Sequence, residues 1–338
     1  MDEIQHKFVN VGALKLHIAE IGTGPNVVVF LHGFPEIWYS WRHQMLALAG
    51  AGFRAIAPDY RGYGLSDSPP EPEKTTFTHL LNDLLQIIDA LAISKVFLVG
   101  KDFGGPPAYL FSILHPERVL GVITLGVPYV PPGPSMLHKY LPEGFYILRW
   151  KVNLLFLLGF YYRSIITALY LFICIMYQEP GRAEADFGRF DAKTVVRKVY
   201  ILFSRSELPI ANENQEIMDL VEPDTPLPSW FTEDDLSTYG ALYEKSGFRT
   251  ALQVPYRTVG DDLNLPDPVV KVPTLLIMGG KDYVFKFPGI EDLIKSEKTK
   301  ELVPNLEVTF IPEGTHFVQE QFPEQLNQLI LAFLAKHT

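Results

Sequence analysis

The sequence predicts an α/β fold with a mostly parallel sheet, flanking helices and an inserted helical cap. Short runs are apolar throughout, as strands buried on both faces of a parallel sheet are. These runs are NVVVFLH (26–32), RAIAP (54–58), KVFLVG (95–100), LGVITLGV (120–127) and TLLIM (274–278). Helical patterns lie between them, such as residues 78–91, where leucine and isoleucine recur at helical spacing. Strands that alternate with helices indicate a parallel sheet with right-handed crossovers.

The alternation stops near the PPGP stretch at 131–134 and resumes at about Lys271. The segment between is helix-rich and aromatic, and it contains the turn-rich sequence GDDLNLPDP at 260–268. We therefore expect a core of residues 1–130 and 264–338, with a cap of residues 131–263 inserted into it.

The composition narrows the class of protein. The 338 residues are 47% hydrophobic and 20% charged, which predicts a packed core and excludes a disordered chain. The net charge of -10 argues against a nucleic-acid partner. The single cysteine, Cys174, excludes an internal disulfide and a cysteine-built zinc site. Because the N-terminal sequence MDEIQHKFVN is acidic where a signal peptide is basic, we expect a cytoplasmic protein.

The sequence KDFGG directly follows the run KVFLVG. A nucleophile flanked by small residues between a strand and a helix is typical of a nucleophile elbow, and the central residue here is Asp102. Only neighbours as small as Gly100 and Gly104 leave room for the strained turn. A carboxylate in this place can form an alkyl ester with a carbon electrophile, and water can then cleave the ester. No G-x-S-x-G motif occurs, which argues against a serine esterase; a simple helix cap is the alternative for Asp102.

The run NVVVFLH ends in the sequence HGFP, which predicts a turn at a neighbouring strand end. We expect the amide of Phe34 to point at the same place as the amide of Phe103. Two such donors form an oxyanion hole, in which loss of one donor costs about 3–4 kcal/mol in activation free energy. His32 is expected to be a structural hydrogen-bonding residue and not a base.

Two further strand ends carry an acid and a histidine. The run TLLIM continues into Asp282, and the strand-like residues 307–311 continue into His316. The order nucleophile, acid, histidine along the chain is that of α/β-hydrolases. His316 can activate water at Asp102 while Asp282 fixes its tautomer. Taken singly, Asp282 and His316 are equally compatible with ordinary turns.

Six motifs resemble those of the plant-type soluble epoxide hydrolases, in the aspartate-nucleophile branch of the α/β-hydrolases. They are HGFPEIWYSWRHQM (32–45), APDYRGYGLSD (57–67), GKDFGG (100–105), QEPGRAEADFGR (178–189), GFRTALQVPYR (247–257) and EGTHFVQEQFPEQ (313–325). The similarity covers nearly the whole chain except residues 151–177. It implies an α/β-hydrolase fold and hydrolysis of epoxides to vicinal diols without a cofactor or a metal.

The resemblance also implies roles for individual residues. Asp102 would be the nucleophile, Asp282 the acid and His316 the base, while Tyr146 and Tyr256 of the cap would hold the epoxide oxygen. Phenol hydroxyls suit that task because the opened epoxide is an alkoxide that needs a donor. We expect four residues to line the substrate pocket, namely His32, Pro35, Trp38 and Phe103.

Lys101 and Phe103 stand where the family commonly has histidine and tryptophan, which bears on pocket shape and substrate range. Two alternative functions stay open. A haloalkane dehalogenase shares the aspartate and the histidine, but an indole after the nucleophile usually holds its halide, and Phe103 has no N–H. A protein that only binds hydrophobic ligands would result if residues 151–177 disturbed the cap.

Residues 151–177 interrupt what the family has as one motif, RWQEPG. Residues 154–177 are 24 residues with a single charge, Arg163; as a helix they would be about 36 Å long, enough to span a bilayer. One crossing would separate Asp102 from Asp282 and His316, which must meet. Three interpretations are open: a buried cap helix, a retained intron or gene-model artefact, and an interfacial or membrane element.

The predicted partners follow from these features. The aromatic cap and the acidic charge favour a small, neutral, lipophilic epoxide, with water as the second reactant. We expect a monomer or a homodimer, no nucleic acid, and membrane contact only through residues 151–177.

Overall fold

An eight-stranded sheet forms the centre of the computed structural model, which describes residues 3–132, 141–142, 144–150, 181–258, 263, 265, 267–287 and 289–338. The strands are Gln5–Val11 (β1), Leu14–Ile21 (β2), Val27–Leu31 (β3), Arg54–Pro58 (β4), Val96–Lys101 (β5), Val119–Leu125 (β6), Thr274–Gly279 (β7) and Leu306–Ile311 (β8). Their order across the sheet is β1-β2-β4-β3-β5-β6-β7-β8.

From β4 to β8 all neighbouring strands are parallel. Strands β3, β5 and β7 are buried at every residue, as their uninterrupted apolar runs predict. The α/β fold class with a mostly parallel sheet is thus confirmed, and the carboxyl ends of β3, β5, β7 and β8 lie at one edge of the sheet.

The sequence-based prediction missed the hairpin of β1 and β2, which pair antiparallel at one side of the sheet. Gly12 forms its turn with a φ of +57°, a left-handed conformation that glycine adopts easily. Strand β2 also pairs antiparallel with β4. The first four residues of β1 are exposed, so this edge strand has no continuous apolar run that would have indicated it.

The helices are Arg42–Gly50 (α1), Phe77–Ala90 (α2), Gly105–Leu114 (α3), Tyr146–Trp150 (α4), Arg182–Phe187 (α5), Ala192–Phe203 (α6), Glu233–Ser246 (α7), Arg249–Leu252 (α8), Ile290–Lys295 (α9), Glu297–Leu302 (α10), Val318–Gln321 (α11) and Pro323–His337 (α12). The predicted helix at 78–91 is α2, which packs on α3, and α1 packs on α12 and β4. Helix α3 packs on β5 and β6.

Helices α4 to α8 are inserted between β6 and β7, as the cap prediction requires. Helix α6 packs on α7, and both begin at capping residues: Asp191 accepts from the amide of Thr194, and Thr232 accepts from the amide of Asp235. Residues 151–177 lie outside the described residues. So do some of the residues near 131 and 263, where the sequence predicts the limits of the cap. Within the described part of the chain, no helix combines the length and apolar character needed to cross a bilayer.

A buried charge network joins the inserted helices to the core. Arg42 of α1 donates to Glu320 at 2.7 Å and pairs with Asp235 of α7 at 2.9 Å. Tyr200 of α6 and Tyr239 of α7 donate to Glu320 at 2.8 and 3.1 Å. Because removal of one partner from such a buried network typically costs about 3–5 kcal/mol, the network holds α6 and α7 over the core.

Candidate active site

Asp102 follows β5 in a strained backbone conformation. Its φ is +51°, in the left-handed region that side chains other than glycine rarely adopt. The neighbouring glycines leave no room for a side chain: a Cβ at Gly104 would lie 2.0 Å from the carbonyl oxygen of Leu31, and one at Gly100 would lie 2.3 Å from the carbonyl oxygen of Gly104. Gly104 takes the cap position of α3, so the helix-cap alternative does not describe Asp102. This is the geometry of a nucleophile elbow.

The structure brings Asp102, Asp282 and His316 together. His316 Nδ1 lies 3.0 Å from Asp282 Oδ1 and 3.1 Å from Asp282 Oδ2, and its Nε2 lies 3.3 Å from Asp102 Oδ2. All three side chains are buried. The residues follow β5, β7 and β8, so the shared edge of the sheet is what assembles them.

The charges of this group shift its pKa values. Burial alone would lower the pKa of His316, but the carboxylates of Asp282 and Asp102 outweigh it and raise that pKa to about 8. Burial opposes ionisation of Asp102, yet the hydrogen bond and charge of His316 and the charge of Lys101 hold the pKa of the carboxyl below its usual value. Asp102 is therefore an anion at neutral pH, which a nucleophile must be.

The sequence predicts an oxyanion hole made by the backbone amides of Phe34 and Phe103, next to Asp102. The amide of Phe34 donates to Asp102 Oδ1 at 3.3 Å, and an interaction with the backbone of Phe103 contributes to the lowered pKa of this carboxyl. Gly33 permits the approach, because a Cβ there would lie 2.6 Å from Asp102 Oδ1. Amide donors at this place can stabilise negative charge on an oxygen of the Asp102 carboxyl group.

Tyr146 and Tyr256, the two tyrosines selected from the sequence, are neighbours in the structure. Both are buried, and their ring centroids lie 6.2 Å apart. Tyr256 lies on the irregular helical turn Gln253–Arg257, and its ring is 5.3 Å from that of Phe103 beside Asp102. Burial, together with the negative charge of Asp102, raises the pKa of both phenols. Both therefore keep their protons and can donate them.

The residues expected to line the pocket have different surroundings. His32 is a structural residue: its Nδ1 donates to Gly33 O at 2.8 Å and its Nε2 accepts from the amide of Tyr60 at 3.2 Å. Pro35 is buried. Phe34 is also buried, and its amide contacts Asp102. His32 thus links the carbonyl of Gly33, directly before Phe34, to the amide of Tyr60.

Trp38 packs against the β1–β2 hairpin. Its indole ring packs against the rings of His6, His17 and Tyr39, at centroid distances of 4.7, 6.1 and 5.5 Å. The backbone amide of Trp38 donates to Asp59 Oδ1 at 2.9 Å, which fixes it there. The part of Trp38 in the substrate pocket stays a prediction from the sequence.

Glu36, a buried acid beside the triad, was missed by the sequence reasoning. Its Oε2 accepts from the amide of Gly33 at 3.0 Å, and its Oε1 accepts from the side-chain amide of Gln319. Burial, with a contribution from Asp102, raises the pKa of Glu36 to about 7. A charged residue inside the apolar stretch HGFPEIWYSW is the signal that could have identified it.

Aromatic rings enclose the space next to Asp102. The ring of Phe34 lies at centroid distances between 5.7 and 6.3 Å from five others, which are Trp150, Phe187, Tyr243, Phe248 and Tyr256. Phe187 and Phe248 also line a cavity of about 320 Å³ between α5, α7 and α8. In the described part of the chain, no group of three or more histidine, cysteine or acidic side chains could hold a metal ion.

Comparison with known proteins gives a consistent result. A model of the α/β-hydrolase fold family matches residues 26–323. Epoxide hydrolase 3 of Siraitia grosvenorii is 37% identical over 99% of this chain and 100% of its own, and epoxide hydrolase B of Mycobacterium tuberculosis is 31% identical over 97% and 98%. A solved epoxide hydrolase of Vigna radiata has a TM-score of 0.85 at 34% identity, with 99% of each chain covered. Potato epoxide hydrolase I has a TM-score of 0.82 at 32% identity, over 98% of this chain and 99% of its own.

Proposed function

The chain belongs to the plant-type epoxide hydrolases of the α/β-hydrolase family, and we propose that it converts epoxides to vicinal diols through an ester formed on Asp102. The observation that carries the proposal is the position of Asp102. Its carboxylate lies between the amide of Phe34, at 3.3 Å, and Nε2 of His316, at 3.3 Å. A nucleophile, an oxyanion donor and a base thus meet at one carboxyl group.

In the first step Asp102 opens the epoxide. Because the amide of Phe34 holds Oδ1, we assign the attack on an epoxide carbon to Oδ2. The new C–O bond forms as the ring C–O bond breaks, and the ring oxygen leaves as an alkoxide. Tyr146 or Tyr256 gives that oxygen its proton and becomes a phenolate, which the other tyrosine stabilises.

In the second step water cleaves the ester. Nε2 of His316 takes a proton from water, and the hydroxide attacks the carboxyl carbon of Asp102. The amides of Phe34 and Phe103 hold the oxyanion that forms on Oδ1. Collapse breaks the ester bond, and the leaving oxygen takes its proton from His316. The regenerated carboxyl of Asp102 returns the remaining proton to the phenolate, which restores the enzyme.

The pocket favours a neutral, lipophilic epoxide. Its walls are the rings around Phe34, and the groups with full charge lie at the triad. A lipophilic body can be buried against these rings, and water then has access only at the reacting centre. The cytoplasmic location and the monomeric or homodimeric state stay predictions from the sequence.

The test of this proposal is the covalent intermediate. His316→Gln should open the epoxide but leave the ester on Asp102, so its intact mass after addition of styrene oxide should rise by the mass of one substrate. Asp102→Ala should show neither the adduct nor the diol. His115→Gln, at a partly exposed position before β6, is the matched control and should turn over as the wild type does. Ordinary turnover by Asp102→Ala would refute the assignment of the nucleophile.

Dehalogenation is the second candidate, and one observation favours it. The indole Nε1 of Trp150 is buried and has no hydrogen-bond partner among the residues that the structure describes, and the ring lies 4.8 Å from that of Tyr256. Such a donor could hold a halide. Release of chloride from 1-chlorobutane, without turnover of styrene oxide, would support this function over epoxide hydrolysis.

A further inference from the structure

Lys101 has an unusual place for a lysine. It is the last residue of β5, directly before Asp102, and its side chain is fully buried. Its Nζ lies 3.0 Å from Nε2 of His316. Lysine is rarely buried unless its charge is compensated, and here its amine contacts the base of the triad.

The surroundings of Lys101 are built to hold an ammonium group. Gly126, at the end of β6, provides the space, because a Cβ there would lie 3.5 Å from Lys101 Nζ and 3.1 Å from Asp282 Oδ2. The ring of Phe317 lies below the ammonium, at 5.8 Å from its centroid. The charge of Lys101 also acts on Asp102.

The other groups that face His316 complete this environment. Asp282 contacts its Nδ1, and the ring of Tyr283 lies 4.8 Å from the imidazole. Glu36, beside Gly33, interacts electrostatically with both Lys101 and His316. The acids around His316 therefore share their surroundings with a second basic side chain, that of Lys101.

The two contacts of Nε2 require different protonation states of His316. An ammonium group only donates, so the contact with Lys101 needs a neutral imidazole with a free lone pair on Nε2. A carboxylate only accepts, so a hydrogen bond to Asp102 Oδ2 needs the imidazolium. Nε2 can satisfy one of these partners at a time. Lys101 thus favours the neutral form of His316, and Asp102 favours the charged form.

We propose that Lys101 is a positioning residue for ester cleavage, which holds His316 in the neutral form that can take a proton from water. The inference rests on the proposed function, since it assumes an ester on Asp102. Once Asp102 is esterified, its negative charge is gone and no longer favours the imidazolium. The contact with Lys101 then favours an unprotonated Nε2 on His316. Water then replaces Nζ at Nε2 and is deprotonated there.

The proposal predicts a specific change in pH dependence. Lys101→Met removes a positive charge beside His316, so the imidazole binds its proton more tightly. The midpoint of the rise in ester cleavage with pH should move up by about one unit or more, and the rate at low pH should fall about tenfold. The rate at the high-pH plateau and the rate of ester formation should change much less.

The experiment measures ester formation and ester cleavage separately, by rapid quench and intact mass with styrene oxide between pH 5.5 and 9.5. Lys101→Gln keeps a hydrogen-bond donor without the charge and should shift the midpoint as Lys101→Met does. If one of these two variants folds poorly, the other still tests the proposal. Lys101→Arg keeps the charge and should retain the wild-type midpoint. Lys95→Met is the matched control, since Lys95 is exposed just before the same strand.

An unchanged midpoint in Lys101→Met or Lys101→Gln overturns the proposal, and so does an equal shift in Lys95→Met. A loss of ester formation and cleavage by the same factor at every pH would also overturn it, because that is the result of a general structural defect. If the wild type forms no ester at all, the proposed function fails instead. The two failures are therefore distinguishable.

Discussion

Nε2 of His316 lies 3.3 Å from Oδ2 of Asp102, although two strands, β6 and β7, separate the strands that carry these residues. The contact exists because both residues follow the carboxyl ends of parallel strands, at the same edge of the sheet. Since the left-handed backbone of Asp102 lifts its side chain out of the strand, a histidine after the last strand can reach it. The chemistry we propose depends on this distance.

The pH dependence should differ between the two steps. Ester formation needs the anion of Asp102, whose pKa is lowered, so its rate should be flat above mildly acidic pH. Ester cleavage needs neutral His316, so its rate should rise with pH. Because the ester removes the negative charge of Asp102, the midpoint should lie below about 8, the pKa of His316 in the free enzyme. Single-turnover rates across pH test this, and cleavage that slows as pH rises would contradict it.

Replacement of either tyrosine should slow ring opening. Tyr146→Phe or Tyr256→Phe removes one donor to the forming alkoxide, which typically costs a factor of about 10²–10³ in rate. The remaining tyrosine should leave measurable activity, and the double variant should be far slower. Tyr109→Phe is the control, because this buried phenol bonds to Thr124 at 2.6 Å and not to the site. Burst kinetics of ester formation measure the effect, and unchanged rates in both single variants would remove these residues from the mechanism.

The elbow should not tolerate a side chain at Gly104. In Gly104→Ala the new Cβ would lie 2.0 Å from the carbonyl oxygen of Leu31, so the turn must move. We expect a stability loss of about 1–3 kcal/mol and a rate loss on the order of 100-fold, since a shift of about 1 Å at Asp102 is enough for that. In Gly50→Ala, at the end of α1, the new Cβ would have no atom within 4 Å. This control variant should keep the stability and the turnover rate of the wild type. Urea unfolding and turnover check the pair, and wild-type behaviour of Gly104→Ala would contradict the elbow geometry.

The sequence was most informative where a residue type suited to catalysis directly follows a predicted strand. Asp102, Asp282 and His316 each follow an apolar run, and the edge of a parallel sheet brings such positions together. The amide of Phe34 reaches Asp102 for the same reason. These parts of the site follow from topology, so a sequence pattern can predict them.

Other parts depend on how side chains pack in three dimensions. Lys101 and Glu36 are charged residues within apolar stretches, and only the folded chain shows that both are buried beside His316. The packing of the Trp38 ring against His6 and His17 of the β1–β2 hairpin likewise shows only in the folded chain. The β1–β2 hairpin was missed because an exposed edge strand lacks an apolar run. Residues 151–177, with three open interpretations, lie outside the described residues.

The most direct test of the ester on Asp102 is a single turnover in ¹⁸O-labelled water, with enzyme in excess over styrene oxide. If water attacks the carboxyl carbon of Asp102, the label should enter the peptide that contains Asp102, and the diol should stay unlabelled. If water instead attacks the epoxide directly, with Asp102 as a base, the diol should carry the label and the peptide should not. Label in the peptide is the result we predict. Label in the diol alone would contradict the covalent mechanism.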